Sequence, residues 1–253
     1  MTTEGYPDGQ IGWLDVTTPD VAGAKAFYGA LFGWDYEDLD DGEGNIIYHQ
    51  SSIDGQRVAG MGGENPYAPQ GLPAYWTPYV IHSDAVGVAA KAEANGGTIL
   101  FPPMDVMGSG TMAIVQDPTG ATIGVWQPAT HTGAQVMGSP NSLAGNELYT
   151  ANVGAAKDFY EAVFGWDGQA THVEDYITFE NPGGGYAGAR GLSGLTTSYW
   201  LTYFAVEDTD AAMAKALALG ATVVEGSYDQ NQWATRVTLV DPQGGVFGLQ
   251  GPG

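Results

Sequence analysis

Apolar residues recur at helical spacing from Val21 to Phe32, where Val21, Ala24, Phe27, Tyr28, Leu31 and Phe32 fall on one face. Just upstream, Ile11–Thr17 (IGWLDVT) reads as a short strand that ends at Pro19, and Asp20 stands where an N-cap side chain would hold the first turn. Gly33 supplies the helix stop. Beyond it, strand-like stretches follow around Trp34–Leu39, Ile46–Ser52 and Arg57–Gly62, separated by the turn sequences DDGEGN and IDGQ. The pattern predicts one β-α-β-β-β module.

A Pro/Gly-rich connector, GGENPYAPQGLP, leads into a second module of the same kind. Its first strand is predicted over Tyr75–His82 and its helix runs from an Asp84 cap to Asn95-Gly96-Gly97. Strands follow near Thr98–Phe101, Thr111–Gln116 and Thr122–Gln127, the last two joined by the turn DPTG at Asp117. The whole plan is then written again. FYGALFGWD (Phe27–Asp35) returns as FYEAVFGWD (Phe159–Asp167), Tyr75-Trp76 as Tyr199-Trp200, and DPTG as DPQG at Asp241. The offset is 132 residues at the first helix and 124 at the later landmarks, so the second copy is shorter by eight. The expected organisation is a first domain over 1–128, a linker over 129–143 (PATHTGAQVMGSPNSL lies across it), and a second domain over 144–253. The fold class is α+β.

Composition narrows the partners. A formal charge of −22, from 29 acidic and 7 basic residues, argues against nucleic acid or an anionic membrane surface. With no cysteine, disulfides, thiolate metal sites and cysteine nucleophiles are excluded. No apolar run approaches the roughly 20 residues of a membrane helix, and no signal-peptide pattern opens the chain, so a cytoplasmic protein is expected. The three arginines, Arg57, Arg190 and Arg236, all fall in strand-like stretches.

The FY…LFGW helix end and the DPxG turn resemble the vicinal oxygen chelate superfamily of glyoxalase I, bleomycin- and fosfomycin-resistance proteins and extradiol dioxygenases. The resemblance implies two tandem glyoxalase-like domains, each of two paired modules whose sheets curl around a pocket that in many members holds a divalent metal. It places the first-strand ligands at Trp13, Thr77, Gly145 and Leu201, and the last-strand carboxylate at Gly124 and Gly248. None of those side chains ligates a hard or borderline cation, and VAGMGG and YAGARGL hold no carboxylate either. The expectation is therefore no metal and no cofactor. The four histidines, His49, His82, His131 and His172, lack ligand spacing and read as surface or packed residues.

Strand alternation separates two faces. Leu14, Val16, Val80, Ile123, Val125, Leu148, Phe204, Phe247 and Leu249 form an apolar set expected to pack under the helices. The opposite face carries Trp13, Asp15, Thr17, Tyr79 and Trp126 in the first copy, and Glu147, Tyr149, Tyr203, Arg236 and Gln250 in the second. Aromatic rings with a carboxylate suit a small hydrophobic or aromatic ligand. Asp15 and Glu147 occupy matching places. Each reads either as a desolvated general base or as a structural acid bonded to backbone or to a tyrosine. Arg236, where the first copy has Met112, reads as an ion-pair partner of Glu147 or as an anchor for an anionic ligand. The tryptophans Trp13, Trp76, Trp126, Trp200 and Trp233 read as core residues before stacking platforms. The expected function is metal-independent tailoring or detoxification by proton transfer, such as isomerisation or elimination. The alternatives are a sequestering resistance protein without catalysis and a metal-dependent lyase or dioxygenase. A monomer and a homodimer both fit.

Overall fold

A computed structural model describes residues 5–64, 71–182, 186–230 and 234–253 of the 253-residue chain, Tyr186 by its backbone alone. Trp233 lies outside the described residues. The first copy runs β1 (Ile11–Thr17), α1 (Val21–Phe32), β2 (Asp35–Asp40), β3 (Ile46–Ile53) and β4 (Gln56–Gly62), then β5 (Tyr75–Ile81), α2 (Ala85–Ala94), β6 (Thr98–Asp105), β7 (Gly110–Gln116) and β8 (Thr122–Pro128). The second runs β9 (Leu143–Thr150), α3 (Val153–Phe164), β10 (Asp167–Ala170), β11 (Tyr176–Glu180) and β12 (Tyr186–Gly191). It continues with β13 (Tyr199–Ala205), α4 (Thr209–Ala218), the two-residue β14 (Thr222–Val223) and β15 (Asp229–Gln230), β16 (Ala234–Val240) and β17 (Val246–Pro252). The predicted modules and their α+β class are present in both copies.

Local chemistry sets the helix ends. Asp20, Asp84, Asn152 and Asp208 each accept a backbone N–H three residues on, satisfying a donor that the first turn leaves orphaned. Gly33 and Gly165 close α1 and α3 in the left-handed region, at φ 73° and 70°, which a Cβ would disfavour. This explains the glycine in both FGW sequences. The stretch after β8 is tied down as well: Ala129 and His131 donate to the Ser109 carbonyl, and Gln135 exchanges two bonds with the Arg57 backbone.

The chain packs as two compact units, and each draws on both copies of the repeat. One holds Leu14–Trp76, Ala134–Gly145 and Thr202–Gly253, with α1 against α4. Its strand runs are β2-β3-β4-β1 and β13-β17-β16-β14, with β15 paired to β16. The other holds residues 1–13, Thr77–Gly133 and Asn146–Leu201, with α2 against α3 and the runs β5-β8-β7-β6 and β10-β11-β12-β9. Within each run β1 and β4, β9 and β12, β5 and β8, and β13 and β17 pair in parallel, while the hairpins pair antiparallel.

The core sits between helices and sheets. Every member of the predicted apolar face, from Leu14 to Leu249, is fully buried. In the α1/α4 unit Phe27, Tyr28, Phe32, Trp34 and Trp76 of the first copy interlock with Phe204 and Phe247 of the second. At its centre the Tyr28 hydroxyl donates to Asp241 Oδ2 at 2.6 Å and accepts from Trp76 Nε1 at 2.9 Å. Asp241 Oδ1 accepts the backbone N–H groups of Gln243 and Gly245. The α2/α3 unit repeats the arrangement: Tyr160 donates to Asp117 at 2.9 Å and accepts from Trp200 at 2.8 Å. The FY helix of each copy is thus bonded to the DPxG turn of the other. Trp76 and Trp200 are core residues.

Burial pushes the Tyr28 and Tyr160 hydroxyls well above the usual phenol range, and the facing carboxylate adds to the effect. Burial also raises the Asp241 carboxyl, against the hydrogen bonds that lower it. The folded state favours the protonated phenols, so their contribution is complete below the ordinary tyrosine value of 10.0 and falls as pH rises past it. Tyrosinate absorbance from these two residues should appear together with unfolding, and Tyr28→Phe should make the alkaline decline shallower. At neutral pH Tyr28→Phe and Tyr160→Phe should each lower stability by about 1–3 kcal/mol in urea unfolding, because a buried carboxylate and an indole N–H lose their partner.

Candidate functional site

The face of each sheet turned away from the helices is built from glycines under aromatic rings. On β4, Gly60 lies opposite Asp15 of β1, and the Tyr48 hydroxyl reaches over it from β3. There Tyr48 donates to Asp15 Oδ1 at 2.5 Å. A Cβ at position 60 would collide with both groups, so the close approach requires glycine. The second copy places Gly188 opposite Glu147 with the Tyr176 hydroxyl above the glycine. Glu147 is 3% exposed and has the Arg190 guanidinium 3.7 Å away, the arginine lying over the Tyr176 ring with 5.0 Å to its centroid. Tyr149 stacks on Tyr199 nearly parallel, at 5.3 Å, and burial followed by the Glu147 charge raises Tyr199.

The closing strands carry a second pair of glycines. Tyr79 is in register with Gly124, and Tyr203 with Gly248; in each case the ring covers the glycine where a Cβ would strike its carbons. The surroundings then differ between copies. Tyr79 directs its hydroxyl at the Met112 sulfur, 3.6 Å away. Met112 is in register with Trp126, and His131 packs edge-on against both Trp126 and Trp13, with centroids 5.5 and 4.4 Å apart. Trp126 Nε1 donates to the His131 carbonyl at 2.8 Å, and the Gly133 N–H approaches His131 Nδ1 at 3.3 Å. In the second copy Arg236 and Gln250 take the Met112 and Trp126 places: Arg236 Nε donates to Gln250 Oε1 at 2.8 Å, and the guanidinium lies over the Tyr203 ring at 5.1 Å.

All ten residues expected on this face lie on strands β1, β5, β8, β9, β13, β16 and β17. Asp15 is bonded to a tyrosine, one of the two arrangements expected for it. Glu147 has Arg190 as its cation, and Arg236 is held by Gln250, which corrects the expected Arg236–Glu147 pairing. Sequence reasoning missed Tyr48 and Tyr176, whose places depend on hairpin register. His131, half-buried, is the packed kind of histidine, set between two indoles although its segment has linker composition. The signal that could have revealed the tyrosines was their common spacing from Gly60 and Gly188 in the two copies.

Residues 10–125 match the family described as the glyoxalase/bleomycin resistance protein/dioxygenase superfamily, and residues 147–250 match a glyoxalase-like domain. The chain belongs to this superfamily. It is 34% identical over 252 residues to the protein named "Putative glyoxylase CFP32" of Mycobacterium tuberculosis, covering 98% of this chain and 96% of that one. It is 35% identical over 263 residues to the anthracycline biosynthesis protein DnrV of Streptomyces peucetius, covering 96% and 94%. Among solved structures, a Mn(II)-bound glyoxalase from Novosphingobium aromaticivorans aligns with a TM-score of 0.66 at 16% identity, over 96% of this chain and 82% of that one. The 2,3-dioxygenase LapB of Pseudomonas sp. KL28 aligns at 0.65 and 14%, over 98% and 93%. At such identity these two structures show the shared fold.

The superfamily's metal raises a question of fit. Where a last-strand carboxylate would stand, Gly124 and Gly248 are covered by tyrosine rings. Among the described residues no three His, Cys, Asp or Glu side chains group to hold an ion. At these positions the described residues offer no set of donors that fits a metal. Also among the described residues, no helix is long and apolar enough to cross a membrane.

The tyrosine cover yields a test. Gly124→Ala should destabilise the protein by about 1–3 kcal/mol through overpacking against Tyr79. In a double-mutant cycle with Tyr79→Ala, measured by denaturant unfolding, most of that cost should vanish, since the ring it strikes is gone.

Proposed function

We propose that this protein handles a planar, polycyclic aromatic small molecule and transfers a proton on it without a resident metal. The observation that carries the reading is the Asp15–Tyr48 hydrogen bond of 2.5 Å on the helix-free face. A tyrosine hydroxyl bonded to a carboxylate is a proton relay. The Tyr48 oxygen takes a proton from a carbon next to a ligand carbonyl while its own proton passes to Asp15. The electron pair of the broken C–H bond moves into the enolate. Return of the proton at another carbon gives isomerisation, and departure of a leaving group gives elimination. Glu147 is the matching base of the second copy. Tyr203, in the same compact unit as Asp15 and Tyr48, supplies an aromatic surface of the kind such a ligand requires. The anthracycline biosynthesis relatives support a polycyclic aromatic ligand.

The test uses a tetracyclic anthraquinone ketone in deuterated buffer. Wild-type protein should quench its indole fluorescence on binding and accelerate deuterium uptake next to the ring carbonyl, followed by NMR. Asp15→Asn and Tyr48→Phe should retain binding within a few-fold and lose about 10²–10⁴ of the exchange rate, the range general acid–base groups contribute. Tight binding with the ligand recovered unexchanged would instead identify a sequestering protein. Full activity in both variants would remove the pair from the chemistry.

A further inference from the structure

The two copies share a scaffold on their helix-free faces and differ in what surrounds the same tyrosine. Tyr79 and Tyr203 each cover a glycine of the neighbouring parallel strand. Around Tyr79 stand a thioether and an indole, Met112 and Trp126, in register across β7 and β8. Around Tyr203 the same two register positions hold a guanidinium and an amide, Arg236 and Gln250. This exchange of two apolar side chains for two polar ones occurs in a chain with 29 acidic residues and only 7 basic ones.

The polar pair is built to aim a cation. Gln250 Oε1 accepts a hydrogen bond from Arg236 Nε, and the guanidinium carbon lies over the Tyr203 ring. Those two contacts hold the group in plane and leave its terminal fork, two Nη with their four N–H donors, as the free end. Among the described residues no carboxylate stands within 4.0 Å of Arg236 to neutralise it. The helix-facing neighbours Val237 and Leu249 are fully buried, so the guanidinium belongs to the opposite face. Asp229 of β15 is in register opposite Arg236. With no carboxylate within 4.0 Å among the described residues, the half-buried fork suits an anion such as a carboxylate, which meets it through two parallel hydrogen bonds.

We propose that the Arg236–Gln250–Tyr203 cluster is an anion clamp that recognises the carboxylate of an aromatic ligand. The corresponding Met112–Trp126–Tyr79 cluster, in the other compact unit, has no such cation and suits an uncharged, apolar ligand of its own. The two copies thereby differ in ligand chemistry although their sheets are built alike. The aromatic frame of the ligand rests on the proposed function above; the preference for a carboxylate rests on Arg236 alone.

The experiment compares anthraquinone-2-carboxylate with anthraquinone-2-carboxamide, two probes of one shape that differ in charge, by quenching of indole fluorescence and by calorimetry. Wild-type protein should bind the carboxylate about 10- to 100-fold more tightly, the range of a charge-assisted bidentate contact, with an advantage that shrinks as salt rises. Arg236→Met installs the residue that the first copy carries at this place, so it should fold, and it should bind both probes alike. Arg236→Lys retains the charge without the fork and should give an intermediate preference. Equal binding of the two probes by the wild type, or an undiminished preference in Arg236→Met, overturns the clamp and leaves the Asp15–Tyr48 relay untouched. Failure of the wild type to bind either probe overturns the clamp together with the aromatic reading. A loss of proton exchange in Asp15→Asn with the carboxylate preference intact separates the two in the other direction.

Discussion

One crossed pair of hydrogen bonds organises the molecule. The Tyr28 hydroxyl reaches Asp241, 213 residues away, and Tyr160 reaches Asp117. Each tyrosine lies at the centre of an aromatic cluster, and each aspartate already holds together the DPxG turn that joins two strands. Burial makes the bond obligatory: a phenol, a carboxylate and an indole N–H share a dry volume and satisfy one another, and loss of any member leaves the rest desolvated without compensation. The FY sequence and the DPxG sequence therefore recur together. They are the two halves of one contact, and the aromatic residues around them fix how helix and strand meet.

The opposite face of each sheet follows another logic. Glycines there let tyrosines from neighbouring strands lie against the backbone, at Gly60, Gly124, Gly188 and Gly248. A carboxylate at positions 124 or 248 and a tyrosine lying flat over them are mutually exclusive. Glycine at these positions leaves room for aromatic surface and phenol hydroxyls against the strand. The polar residues that remain work with those tyrosines: Asp15 with Tyr48, Arg190 with Tyr176, Arg236 with Tyr203.

Much of this was legible in the sequence because it is local or periodic. Caps at Asp20 and Asp84, the stop at Gly33 and the alternation that buries Leu14, Val16, Phe247 and Leu249 all depend on spacing within a few residues. The expected set on the helix-free face was readable for the same reason. Periodicity does not tell which side chains meet across a hairpin. Tyr48 comes over Gly60 through a hairpin whose register shifts at Ser51/Ser52, so its pairing with Asp15 could not be counted from the chain. Arg190 stands where the first copy has Gly62, a difference visible only once β12 is in register with β9. His131 sits in a segment with the composition of a linker, yet two indoles and backbone bonds enclose it. Nor does an amphipathic helix announce which copy will cover it, and here each compact unit is assembled from both.

That crossing bears on how such a chain arises. Asp117 and Asp241 occupy equivalent turns, and Tyr28 and Tyr160 equivalent helices. A protein with a single copy could make the same bonds by pairing with its twin, each tyrosine meeting the aspartate of the other subunit. Fusing two such genes would convert an intersubunit bond into an intramolecular one without inventing a contact. The joined copies then lose the freedom to exchange partners and gain freedom to differ. Their shared core must remain matched, tyrosine to aspartate, while Met112 and Arg236, or Trp126 and Gln250, can diverge within one polypeptide. Fusion turns enforced symmetry into permitted asymmetry.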